Sequence, residues 1–90
     1  MKIEWAEPAV NDLESIRDYI QRNSKHYADK FVQAIVESVK RLERLPQIGP
    51  RIPEVKTDEI RELIYHNYRT LYKIEKKRIV VLAVIQGQRQ

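Results

Sequence analysis

Three arginines are the residues of this chain best suited to chemistry: Arg61, Arg69 within Tyr68-Arg69-Thr70-Leu71-Tyr72, and Arg89. A guanidinium keeps its charge at every physiological pH and offers phosphate or carboxylate a planar fork of donors. All three fall in the last third of the chain, where the pattern is that of β-strands, so a rigid scaffold would carry them. An anion- or nucleic-acid-binding surface built from Arg61, Tyr68, Arg69 and Arg89 is therefore the first expectation. Gly87, two residues before Arg89, reads as a flexible exit from the last strand.

Other chemistry is poorly supplied. His26 and His66 are far apart without ligand partners at metal spacing, and cysteine is absent, so no metal site is expected. Gly49 and Gly87 are the only glycines, which excludes a phosphate-cradling loop, and no cofactor is implied. No nucleophile constellation is present. The carboxylates fall mostly in helical segments, where capping and ion pairs account for them.

Whether the arginines converge depends on the elements that hold them. Successive strand side chains alternate faces, so turn length decides which residues meet. A three-residue turn pairing Glu75 with Ile79 sets Arg69 opposite Ile85 and in phase with Arg89. A three-residue loop pairing Tyr65 with Arg69 brings Arg61 to the same face. Both odd turns are expected, and with them one arginine cluster.

Upstream, Lys2 to Trp5 read as a short opening strand. A first helix follows, with Pro8 in its first turn, Glu7 and Asp12 near its positive end, and an apolar stripe of Val10, Leu13, Ile16 and Ile20. Ser24 is placed to cap a second helix, whose stripe is Ala28, Phe31, Val32, Ile35, Val39, Leu42 and Leu45. Leu45-Pro46-Gln47-Ile48-Gly49-Pro50-Arg51-Ile52-Pro53 ends the helical hairpin and begins an irregular crossing. Strands resume at Ile60, with a turn centred on His66-Asn67 and a polar turn over Glu75 to Arg78. Ile79 to Ile85 is apolar on both faces and reads as the most buried strand. The expected fold is α+β, with order β-α-α-β-β-β and a helical hairpin packed on one antiparallel sheet, in a single domain over residues 1–90.

With 42% hydrophobic and 33% charged residues the chain reads as globular rather than disordered. No apolar run is long enough to span a bilayer and no signal peptide is apparent, so a cytoplasmic location is expected. The net charge of +4 is uneven. Residues 1–45 hold eight basic and eight acidic side chains, whereas residues 46–90 hold nine and five, so the entire surplus lies in the second half. Such asymmetry points to a nucleic-acid or acidic-protein partner.

In these residues the chain resembles the RelE/ParE family of type II toxin–antitoxin toxins, also known as plasmid stabilisation proteins. The resemblance runs from Trp5 and the Ala9-Val10-x-Asp12-Leu13-x-x-Ile16-x-x-Tyr19-Ile20 helix, through Leu42-x-x-Leu45-Pro46-x-x-Gly49 and Pro53-Glu54. It ends in Arg61-Glu62-Leu63, Tyr68-Arg69-x-Leu71-Tyr72 and Ile79-x-x-Leu82-x-Val84-x-x-Gly87-x-Arg89. It implies a growth-inhibiting toxin held in a hetero-oligomer by a cognate antitoxin. The antitoxin would bind apolar residues, for which Leu13, Ile16, Tyr19, Tyr65 and Tyr72 are the candidates. Two modes of action follow from the family. One branch inhibits DNA gyrase by protein contact. The other cleaves mRNA on the ribosome, using arginines and lysines, two of which Arg69 and Arg89 match, with Arg61 near where a further basic residue is expected and a titratable residue after the last arginine. The sequence given has only Gln90 after Arg89, so the gyrase-directed, non-enzymatic branch is the leading expectation. The mRNA interferase is the alternative, and an antitoxin-binding module of the same fold without toxicity is a third reading.

Overall fold

The computed structural model describes residues 1–87. The element order is β1 (Lys2–Trp5), α1 (Glu7–Gln21), α2 (Lys25–Lys40), a 3-10 turn (Arg41–Glu43), β2 (Ile60–Tyr65), β3 (Tyr68–Ile74) and β4 (Arg78–Gln86). The β-α-α-β-β-β order matches the expectation, and the two helices pack on one side of a four-stranded sheet ordered β1-β4-β3-β2.

The sheet is mixed rather than wholly antiparallel, because β1 lies parallel to β4 with Ile3 opposite Ile79 and Trp5 opposite Val81. Parallel neighbours need a long crossover, and everything between β1 and β4 supplies it. Strand direction of this kind leaves no mark on the apolar pattern of a four-residue segment.

Both helices bury a stripe. On α1 the buried positions are Ala9 and Ile16, with Leu13 and Ile20 partly buried, while Val10 is exposed. The stripe therefore begins at Ala9, one residue earlier than expected. Ser24 caps α2 as expected, its Oγ accepting the Tyr27 N–H at 3.1 Å. On α2 the buried face is Ala28, Phe31, Val32, Ile35 and Val39, continued by Leu42 in the 3-10 turn. Leu45 leaves the stripe, because three residues per turn instead of 3.6 advance the phase beyond Lys40.

One core cluster gathers Ala9, Val39, Leu42, Tyr72, Ile79 and Val81; a second gathers Ile16, Phe31, Val32, Ile35 and Val84. The helix-facing residues of β4 are thus Ile79, Val81 and then Val84. That break in alternation comes from a β-bulge: Tyr72 pairs with Val81 but Leu71 pairs with Ala83, leaving Leu82 as the extra residue. Expected to be the most buried strand, β4 lies between β1 and β3 and buries Ile79, Val81 and Val84, while Ile85 is exposed. The free edge of β2 is partly covered by the preceding loop. There Arg51 bridges Arg61 and the Glu62 N–H donates to the Pro50 carbonyl at 3.2 Å.

Candidate functional site

Both sheet turns are even, contrary to the expected odd ones. Tyr65 pairs with Tyr68 across the two-residue loop His66-Asn67, where His66 has a positive φ of 54°. The Glu75 N–H donates to the Arg78 carbonyl at 2.8 Å across Lys76-Lys77. With no bulge between β2 and β3, Arg61 pairs with Tyr72 and Ile64 pairs with Arg69. Arg61 and Arg69 therefore lie on opposite faces, and the single arginine cluster does not form. The β4 bulge nonetheless sets Arg69 opposite Ile85, the register expected from an odd turn. Arg89 lies outside the described residues.

Each of the two placed arginines is engaged inside the molecule. Arg61 points toward the crossing loop, where its Nη1 donates to the carbonyls of Gly49 (2.9 Å) and Gln47 (3.4 Å) and its Nε to that of Asp58 (3.2 Å). Beside it Tyr72 is 0% exposed. The Tyr72 hydroxyl accepts the Gly49 N–H at 3.1 Å and donates to the Pro46 carbonyl at 2.8 Å. Burial pushes the Tyr72 phenol above its ordinary range, against smaller opposing pulls from the Gly49 N–H and the Arg61 charge. The loop closes tightly on this pair. A Cβ on Gly49 would stand 2.4 Å from the Glu62 carbonyl oxygen and 2.8 Å from the Tyr72 hydroxyl, so only glycine fits. Tyr72 is consequently a core residue and not the exposed antitoxin contact expected of it.

On the opposite face Arg69 Nε donates to Glu62 Oε1 at 2.6 Å, with the Glu62 side chain only 1% exposed. The even hairpin makes this contact, since Glu62 opposes Leu71 and Arg69 opposes Ile64, diagonal neighbours on one face. Sequence reasoning missed Glu62 as part of this site; the signal was the two-residue turn at His66-Asn67, which fixes the diagonal. Gly87 serves this pair too. Its N–H donates to the Asn67 carbonyl at 2.9 Å, and a Cβ there would meet Arg69 Cδ at 2.6 Å. The glycine admits the arginine stem and is tied to the hairpin, rather than serving as a flexible exit.

A cleft of about 330 Å³ runs between α1 and the end of β4, lined by Asp12, Ser15, Ile16 and Tyr19 on one side and Tyr68, Val84 and Gln86 on the other. It exists because β1 pairs with Arg78–Val81, so among the described residues the later half of β4 has no strand on that edge. Asp12, expected to serve the helix dipole, instead accepts the Val84 N–H at 2.8 Å. Of the candidate antitoxin contacts, Ile16 is buried, Leu13 is half-buried, and Tyr19 stands out at 63% exposure with the Arg22 guanidinium 5.7 Å from its ring centroid. Tyr65 is half-buried, packed edge-on to Phe31 at 5.0 Å. Tyr68 meets the same ring at 5.6 Å. Among the described residues no group of three or more His, Asp or Glu side chains could hold a metal, and no helix is long and apolar enough to cross a membrane.

Residues 3–90 match the family model of the ParE toxin of the type II toxin–antitoxin system, parDE. The chain belongs to the ParE toxin family. As such it is the toxin of a toxin–antitoxin pair, and a cognate antitoxin is its partner. Among solved structures it is similar to the chromosomal ParDE toxin–antitoxin system of P. aeruginosa. The identity there is 26%, with 98% of this chain and 97% of that one covered and a TM-score of 0.83. The YoeB/ParE toxin from Agrobacterium tumefaciens shares the fold at 21% identity, 98% and 100% coverage and TM-score 0.66. The isolated RelE toxin of E. coli shares it at 17% identity, 99% and 86% coverage and TM-score 0.58. No curated protein sequence matches the toxin.

Proposed function

We propose that this ParE-family toxin acts in the cytoplasm by protein contact, as an inhibitor of DNA gyrase neutralised by its antitoxin, and not by cutting RNA. The observation that carries this reading is the engagement of the arginines. Phosphoryl chemistry on RNA needs cations aimed at the phosphate and groups that move protons. Arg61 is spent on three loop carbonyls, Arg69 Nε on Glu62, and the two lie on opposite faces. The cleft between α1 and β4 is the proposed antitoxin site. An extended segment laid along the uncovered half of β4 would lie beside the Asp12–Val84 contact and reach Tyr19, with Ile16 and Tyr68 in the cleft wall; Leu13 and Tyr65 do not line this cleft.

One observation favours the alternative, a RelE-like ribosome-dependent endoribonuclease. The Arg69 side chain, 18% exposed beside the buried Glu62, keeps a cation at the surface that is able to meet a phosphate. Two assays on the purified toxin separate the readings. Gyrase supercoiling should be inhibited and relieved by stoichiometric antitoxin, while mRNA on programmed ribosomes stays intact. Ribosome-dependent cleavage by the wild-type toxin would replace the gyrase reading.

A further inference from the structure

The crossing loop holds apolar side chains out in solvent on a frame built from the interior. Leu45 is 54% exposed and Ile48 40%, around a depression of about 360 Å³ that Arg44, Pro46 and Gln47 complete. Two exposed aliphatic residues on a slack loop would mean little. This loop is not slack. The Leu45 N–H donates to the Arg41 carbonyl at 3.0 Å and the Ile48 N–H to the Leu45 carbonyl at 3.1 Å, folding the segment into a knuckle. From beneath, the buried Tyr72 hydroxyl grips Pro46 and Gly49, and the Arg61 guanidinium grips Gln47 and Gly49. The fold thus commits a fully buried hydroxyl and a guanidinium to a segment that adds neither Leu45 nor Ile48 to the core. A preorganised apolar pair loses little entropy on binding, which is what a recognition surface requires.

The surroundings specify the occupant. Lys40, Arg41 and Arg44 are exposed around the knuckle, and among the described residues none of them makes an ion pair; Glu43 is the acidic neighbour between them. We propose that the Leu45–Ile48 knuckle, with Lys40, Arg41 and Arg44, is the surface by which the toxin engages its target, an acidic protein face with an apolar recess. This rests on the reading of a toxin that acts by protein contact, but not on gyrase being the target. The knuckle shares no residue with the α1–β4 cleft, so target and antitoxin contacts separate by mutation.

The test uses the full chain in two double variants, Leu45→Ser with Ile48→Ser, and Arg41→Glu with Arg44→Glu. All four positions are exposed, so both variants should keep the wild-type circular dichroism and melting temperature. Each should lose about tenfold or more in growth arrest on expression and in inhibition of supercoiling, as when an interface anchor is removed, while affinity for the antitoxin stays within twofold. Unchanged growth arrest in both variants overturns the proposal, and so does a parallel loss of antitoxin affinity, which would make the knuckle an antitoxin contact. Retention of duplex DNA that is abolished by the Arg41/Arg44 variant and indifferent to the Leu45/Ile48 variant overturns it in favour of nucleic acid. A wild-type toxin that arrests growth without touching supercoiling removes gyrase but leaves the knuckle to be judged on growth arrest.

Discussion

Replacing Tyr72 with phenylalanine removes one oxygen from the centre of the molecule, and its cost can be worked from two hydrogen bonds. The Gly49 N–H, buried and 3.1 Å from the hydroxyl, loses its acceptor, and the Pro46 carbonyl, 2.8 Å away and partly buried, loses its donor. Stranding a buried donor costs roughly 1–3 kcal/mol, whereas water can reach a partly buried carbonyl and recover much of its share. About 2 kcal/mol is the expected sum, and in a domain of this size it lowers the melting temperature by about 8–16 °C. The pH dependence gives a second, independent reading. The folded-state phenol is raised above its ordinary value of 10.0, chiefly by burial. A group raised on folding contributes stability in full below its unfolded pKa. That contribution fades as pH climbs from the unfolded toward the folded value, so the wild type should weaken above about pH 10 by a component absent from the phenylalanine variant. Thermal melts of both proteins from neutral to strongly alkaline pH measure the two effects together. A melting temperature within 2 °C (about 0.5 kcal/mol or less) of wild type, with superimposable alkaline limbs, would show that the loop does not depend on this hydroxyl.

The buried pair on the other face should behave as a coupled unit. Arg69→Met and Glu62→Met should each destabilise by about 1.5–3 kcal/mol, the range for a hydrogen bond between charged groups, and the double variant by clearly less than their sum, as a urea-denaturation double-mutant cycle would read. Additive effects would mean that the 2.6 Å contact is not an energetic one. Gly87→Ala should destabilise by about 1–3 kcal/mol, the range for overpacking, since its Cβ would sit 2.6 Å from Arg69 Cδ; recovery of the lost melting temperature in Gly87→Ala with Arg69→Ala would trace the effect to that contact. At the far turn, Glu75 is lowered first by its hydrogen bond from Arg78, so its small contribution is present above its ordinary pKa and lost as pH falls through the lowered one. The acid limb of Glu75→Gln should therefore be shallower than that of wild type at low salt and converge with it at high salt, where exposed pairs are screened.

How far the sequence speaks depends on how local the cause is. Ser24 was readable as a cap, because a hydroxyl meeting the N–H three residues on is decided within one turn. The order of elements was readable for the same reason, since each has its own apolar period. Asp12 was misread because its partner, the Val84 N–H, lies 72 positions away and is left open only because β1 ends at Trp5. Tyr72 was misplaced because alternation along β3 assigns it a face but not a depth, and its depth comes from the crossing loop that its hydroxyl holds.

The arginines show how compensating errors can hide in a pattern. Parity counted from an odd turn gave the right partner for Arg69, but the turn is even and an extra residue at Leu82 supplies the missing step. The same count applied to Arg61 failed, because β2 and β3 pair without a bulge from Ile60↔Lys73 to Tyr65↔Tyr68. A bulge has no reliable mark in a run such as Ile79-Val80-Val81-Leu82-Ala83-Val84-Ile85, where every residue suits either face. Its signature is instead the spacing of three buried side chains, Ile79, Val81 and Val84, two apart and then three. Deleting Leu82 would restore strict alternation with Val84 still turned to the helices, because the pairs Tyr72↔Val81, Leu71↔Ala83 and Thr70↔Val84 would then follow without a break. Such a deletion should therefore leave a higher melting temperature than deletion of Val80, which slips a regularly paired stretch by one residue and turns core side chains outward, while the exposed Leu45 and Ile48, whose register matters to nothing inside, should tolerate serine.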